Sequence, residues 1–105
     1  MARFHVYLNV DDGGLLLDLQ ANLLSHLNTC VVAPLLPLAS GPLPAKVLNP
    51  EFDIDGVRYM LATQFLAAVP RRVLGHQVAS LQDDAAVIVS ALGIAVLSSR
   101  YWSII

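Results

Sequence analysis

The chain has 105 residues, 56% of them apolar, 13% charged and 7% aromatic, with a formal net charge of −2. The length suits one domain, and a charge content about half the usual ~25% excludes a disordered chain and a protein that wraps polyphosphate. Six basic and eight acidic side chains are too few to cover a molecule of this mass. Part of its face is therefore expected to lie against a second copy, as in a homodimer.

The elements follow in order. Residues 3–9 alternate, with Phe4, Val6 and Leu8 on one side and Arg3, His5, Tyr7 and Asn9 on the other, the period of a half-buried strand. The turn residues Asp11-Asp12-Gly13-Gly14 and the apolar run from Leu15 to Gln20 complete a predicted β-hairpin. From Thr29 to Leu38 the chain is β-branched and apolar but carries Pro34 and Pro37. The strand is expected over 29–33, bending or running at an edge beyond. Residues 39–50, rich in Pro and Gly, read as a long loop.

Glu51 to Leu61 places Asp55-Gly56 between Phe52/Ile54 and Val57/Tyr59/Leu61, the strongest hairpin signal in the chain. A short helical turn is expected at 63–66. Residues 69–75 read as a strand ending at Gly75, which puts Arg71 and Arg72 on opposite faces; residues 77–81 are ambiguous. Asp83 and Asp84 favour a helix N-terminus, and the last helix is predicted over about 83–102. Ile88, Leu92, Ala95, Ser99 and Trp102 form one stripe of it, but Val87, Val89, Ala91, Ile94 and Val96 fill its other faces. A helix apolar nearly all round is expected to be buried on more than one side. Gly93 in its middle reads equally as a close backbone approach or as a tolerated accident.

Sites of chemistry are sparse. His5, His26 and His76 share no metal-ligand spacing with one another or with Cys30, and no metal or cofactor is expected. Cys30 sits in the apolar run Thr29-Cys30-Val31-Val32 and has no disulfide partner. It reads as a buried small hydrophobe in a cytoplasmic protein. The start lacks the basic and apolar regions of a signal peptide. The apolar stretch Ala85 to Leu97 would span ~20 Å as a helix, short of the ~30 Å of a bilayer core. No membrane partner and no direct nucleic-acid contact are expected. The end, Arg100-Tyr101-Trp102-Ser103-Ile104-Ile105, is bulky enough to fold back on the chain or to act as a protein-binding hot spot.

Several segments, in order, resemble the CcdB toxins, the gyrase-poisoning partners in bacterial toxin–antitoxin modules. They are Phe4-His5-Val6-Tyr7, Asp18-Leu19-Gln20 with Leu23-Leu24, Pro37-Leu38-Ala39-Ser40, Met60-Leu61-Ala62-Thr63, Val69-Pro70, Leu74-Gly75, Val78-Ala79-Ser80-Leu81 and Trp102. The resemblance implies a mostly β fold with a C-terminal α-helix, an SH3-like barrel or sheet, and a homodimer. It also implies a toxin without chemistry of its own that binds the A subunit of DNA gyrase, traps the cleaved DNA complex, serves plasmid maintenance and is neutralised by a CcdA-like antitoxin. By position, gyrase binding would fall on Leu23, Leu24, Ser98, Tyr101, Trp102, Ser103, Ile104 and Ile105. The chain departs from the family's Trp-Gly-Ile ending, with Ser103 at the glycine and Ile105 in addition.

Two alternatives stand beside that reading. One is a sequence-selective endoribonuclease of the related MazF/Kid type, which needs a convergent Arg, His and carboxylate. Arg71, Arg72, His76 and Asp53 are its candidates. The other is a homologue of the same fold that no longer poisons gyrase.

Overall fold

A computed structural model describes residues 3–24, 26–39 and 49–97, with backbone only for 95–97. Its strands are β1 (His5–Asn9), β2 (Leu15–Asp18), β3 (Thr29–Pro37), β4 (Glu51–Ile54), β5 (Val57–Leu61), β6 (Ala67–Pro70) and β7 (Leu74–Ser80), followed by helix α1 (Ala85–Leu97). They form one curled antiparallel sheet in the order β4-β5-β3-β2-β1-β7, with β6 also paired to β3.

The β4–β5 hairpin forms where the sequence places it. Asp55 and Gly56 both take positive φ, 52° and 82°, as a two-residue turn matching the right-handed strand twist requires. β3 runs four residues further than expected, through both prolines. It pairs with β6 over Thr29–Val32 and with β5 over Leu35–Pro37. Pro34 falls in the gap between these partners, where the missing N–H costs that edge no ladder bond, and its carbonyl accepts the Ala62 N–H at 2.9 Å.

The central strands β1, β2 and β3 are covered on both faces, because their side chains of alternate parity enter two different cores. Val6, Leu17, Ala33 and Leu35 meet Phe52, Ile54, Leu81 and Ile88 of α1. Tyr7, Leu16, Cys30 and Val32 meet Val73 and Leu74 on the opposite face. Tyr7, assigned by alternation to the open side of the first strand, is therefore buried. The chain crosses that side again after β6.

There the expected strand over 69–75 is interrupted. Residues Arg71–Val73 form a 3-10 turn, and β7 starts at Leu74 and takes in the ambiguous 77–80. Arg71 and Arg72 accordingly lie on a turn and not on opposite faces of a strand. Gly75 lets β7 pass close to β1, since a Cβ there would stand 2.9 Å from Val10 Cγ1 and 3.1 Å from the Leu8 carbonyl oxygen. The other expected turn is present at Thr63–Phe65.

Phe4 precedes β1 with φ 67°, a conformation that costs a non-glycine residue about 1–2 kcal/mol. It is pinned on both sides: its N–H donates to the Asp18 carbonyl and its carbonyl accepts the Leu81 N–H, each at 2.7 Å. Helix α1 buries Ile88 and Ala91 against the first core and leaves Val87, Val89 and Ile94 exposed. Among the described residues nothing lies within 4 Å of a Cβ built at Gly93, so no close approach to any of them explains that glycine. Among the described residues no helix is long and apolar enough to cross a membrane.

Candidate functional site

Beyond β2 the chain makes a short excursion carrying the 3-10 turn Asn22–Leu24 before it returns as β3. A turn of three residues has little internal stability, and its terminal carbonyls need donors from elsewhere. They are supplied by Gln20, just past β2, by the Leu27 N–H and by Arg71. Asp18 is buried, and its Oδ1 accepts the Gln20 backbone N–H at 2.9 Å and the Cys30 thiol at 3.2 Å. Gln20, also buried, donates through Nε2 to the carbonyls of Leu24 (2.9 Å) and Thr29 (3.2 Å), and its Oε1 accepts the Val31 N–H at 3.2 Å.

Two arginines hold the excursion from its ends. Arg71 donates its backbone N–H to the Asn28 carbonyl at 2.9 Å, its Nε to the Leu27 carbonyl, and its Nη2 to the Leu24 carbonyl at 3.4 Å. Arg3 donates its backbone N–H to Asn22 Oδ1 at 2.8 Å and its Nε to the Leu19 carbonyl at 3.2 Å, while its guanidinium lies 4.7 Å above the Phe4 ring. A polar frame thus supports a turn whose apolar side chains face outward: Leu23 is 83% exposed, Leu24 40% and Leu27 39%. Solvent-facing leucines on a braced backbone are suited to contact with another macromolecule.

Burial, the hydrogen bond to Asp18 and the Asp18 charge push the Cys30 thiol up from 9.0 to about 12. It is an inert, protonated donor and not a nucleophile. The folded state holds this proton more tightly than the unfolded chain. Its contribution is therefore complete below pH 9 and is lost as pH rises towards about 12. In that window wild-type stability is expected to fall relative to Cys30→Ala, with a slope of at most about 1.4 kcal/mol per pH unit. Denaturant titrations of both proteins from about pH 8, before the loss begins, to about pH 11 check it. Parallel curves would refute the assignment.

The sequence-derived site residues divide clearly. Leu23 and Leu24 stand exposed on the braced turn, whereas Ser98, Tyr101, Trp102, Ser103, Ile104 and Ile105 lie outside the described residues. The endoribonuclease candidates are dispersed over the fold. Asp53 is on β4, paired with Arg58 Nη1 at 3.3 Å. His76 is exposed on β7, at the other end of the strand order. Arg71 grips the leucine turn, and Arg72 is exposed beside it. Asp18, Gln20 and Arg3 were not singled out as a group by the sequence reading. Asp18 and Gln20 could have been suspected from their polar character at the end of an apolar run.

The curled antiparallel sheet closed by one C-terminal helix is the architecture of toxins from bacterial toxin–antitoxin systems. Three solved structures share it: an endoribonuclease from a mycobacterial species (TM-score 0.75, 15% identity, covering 91% of this chain and 90% of that one); the Mycobacterium tuberculosis toxin MazF-mt6 (0.74, 18%, 90% and 96%); and a mycobacterial endoribonuclease in complex with its cognate antitoxin (0.73, 15%, 91% and 94%). The CcdB protein family model matches residues 3–97, and the chain belongs to that family. It is a toxin of the toxin–antitoxin class. A search of the curated proteins finds no match.

One expectation is corrected by these likenesses. The resemblance implies a toxin without chemistry of its own, yet the fold matches that of mycobacterial endoribonucleases over 91% of this chain. A non-catalytic role does not follow from this fold.

Proposed function

We propose that the protein binds the A subunit of DNA gyrase and traps the cleaved gyrase–DNA complex. The contact is made by Leu23 and Leu24 together with Ser98, Tyr101, Trp102, Ser103, Ile104 and Ile105. The observation that carries this reading is the membership of residues 3–97 in the CcdB family, to which the exposure of Leu23 and Leu24 on a braced turn adds a suitable surface. The protein acts in the cytoplasm as a homodimer, which the exposed Val87, Val89 and Ile94 of α1 support. A cognate CcdA-like antitoxin neutralises it, as the antitoxin-bound structural neighbour suggests.

The test is gyrase-mediated DNA cleavage with purified wild type and Trp102→Ala, alongside expression without antitoxin in a gyrase-sensitive bacterium. Growth arrest and stabilised cleavage, both lost in the variant, are expected. A folded protein that gives neither excludes gyrase as the target.

A second reading, RNA cleavage, is favoured by the likeness to the two mycobacterial endoribonuclease structures. It is tested by incubating the same preparation with RNA. Cleavage that disappears in His76→Ala, with gyrase unaffected by the wild type, would replace the gyrase reading.

A further inference from the structure

We propose that Arg71 and Gln20 are positioning residues that hold the Asn22–Leu24 turn in the shape that presents Leu23 and Leu24 to the gyrase A subunit. This rests on the gyrase reading of the leucines, but it assigns a role to side chains that need not touch the target. The Leu24 carbonyl receives three donors: Gln20 Nε2 at 2.9 Å, Arg71 Nη2 at 3.4 Å and the Leu27 N–H at 3.1 Å. It is the last carbonyl of a turn closed internally by the Leu24 N–H to the Ala21 carbonyl, 2.9 Å. Arg71 approaches from β6 and its following turn, more than forty positions along the chain, and also engages the carbonyls of Leu27 and Asn28. Gln20 approaches from the segment just past β2 and is itself oriented by Asp18 and Val31.

Leu23 adds little to the core beneath it, since it is almost wholly in solvent, and Leu24 is 40% exposed. Their placement therefore depends on the backbone, and the backbone depends on these two side chains. A turn that samples its binding shape only part of the time loses apparent affinity in proportion. Arg is suited to the task because its planar fork spans two carbonyls at once, which the single ammonium of Lys cannot do.

The experiment compares wild type, Arg71→Lys, Arg71→Ala, Leu23→Ala/Leu24→Ala and the triple variant Arg71→Ala/Leu23→Ala/Leu24→Ala. Hydrogen exchange reads the clamp without any target. In Arg71→Lys the amides of Leu24 and Leu27 should exchange faster, while those of Leu16 and Leu17 in β2 keep their protection. Unchanged protection at Leu24 and Leu27 would overturn the proposal.

Affinity for the isolated gyrase A subunit reads presentation. A turn left in its binding shape about a tenth of the time predicts a roughly tenfold loss for Arg71→Ala. The triple variant should bind within about twofold of Leu23→Ala/Leu24→Ala, because Arg71 acts through the two leucines. Multiplying losses would show that Arg71 acts elsewhere and would overturn it too. Wild type that does not bind the gyrase A subunit would fail the target reading itself, and presentation with it. The exchange result would still decide whether Arg71 braces the turn.

Discussion

Truncating Leu23 to Ala is expected to weaken binding to the gyrase A subunit by about 30-fold or more, the ~2 kcal/mol of an interface hot spot. The unfolding midpoint should stay where it is. The asymmetry follows from exposure: a side chain 83% in solvent stabilises its own fold little, whereas an interface that desolvates it gains most of its apolar area. Calorimetric or surface-based binding with denaturant melts of the same samples checks both halves. A wild type that binds while the variant binds equally well would remove Leu23 from the contact. A loss of affinity accompanied by a comparable loss of stability would point to the turn's structure instead.

Ile88→Ala is expected to destabilise the fold by about 2–5 kcal/mol, the cost of truncating a fully buried aliphatic side chain. Ile88 has no exposed surface and packs in the core containing Val6, Leu17, Leu35 and Ile54. It is the buried branched side chain that α1 contributes to that core, alongside the much smaller Ala91. A loss of this size is a large fraction of the ~5–15 kcal/mol that stabilises a typical domain. It should lower the melting temperature by on the order of 10–30 °C. Val87→Ala, one position earlier and half exposed, is the control. Its effect should stay within ~0.5 kcal/mol in dissociated chains and grow with protein concentration if the exposed helix face is covered by a second copy. A small effect for Ile88→Ala would mean that α1 is not docked through this residue.

Local signals account for what could be read in advance. Asp55-Gly56 announces its hairpin because the two positive φ values that such a turn demands are cheap only for residues of that kind. The turn at Thr63–Phe65 and the onset of α1 after Asp83-Asp84 were equally visible. The strand assigned to 69–75 is interrupted although Val69, Val73 and Leu74 favour extended backbone and Gly75 supplies an end signal. What interrupts it is the pairing of β6 with β3 and the bonds from Arg71 to the carbonyls of Leu24, Leu27 and Asn28, all distant in sequence. Tyr7 was placed on the open side for a related reason, since alternation shows that a strand has two faces and not that both are covered.

The candidate site divides along the same line. Leu23 and Leu24 were named through the family resemblance, but that they face solvent on a braced turn is a tertiary fact. No spacing rule links Gln20 to Arg71 or either to the carbonyl they share. The sequence by itself determined the class of fold, the position of the tight hairpin and the family, because each rests on residue preferences or segments written along the chain. Only the tertiary structure decided that Pro34 sits between two partner strands, that β1, β2 and β3 are covered on both faces, and that Asp18, Gln20 and Arg71 brace one turn. Those outcomes depend on which distant segments meet, and a backbone carbonyl that needs a donor leaves no mark in the sequence.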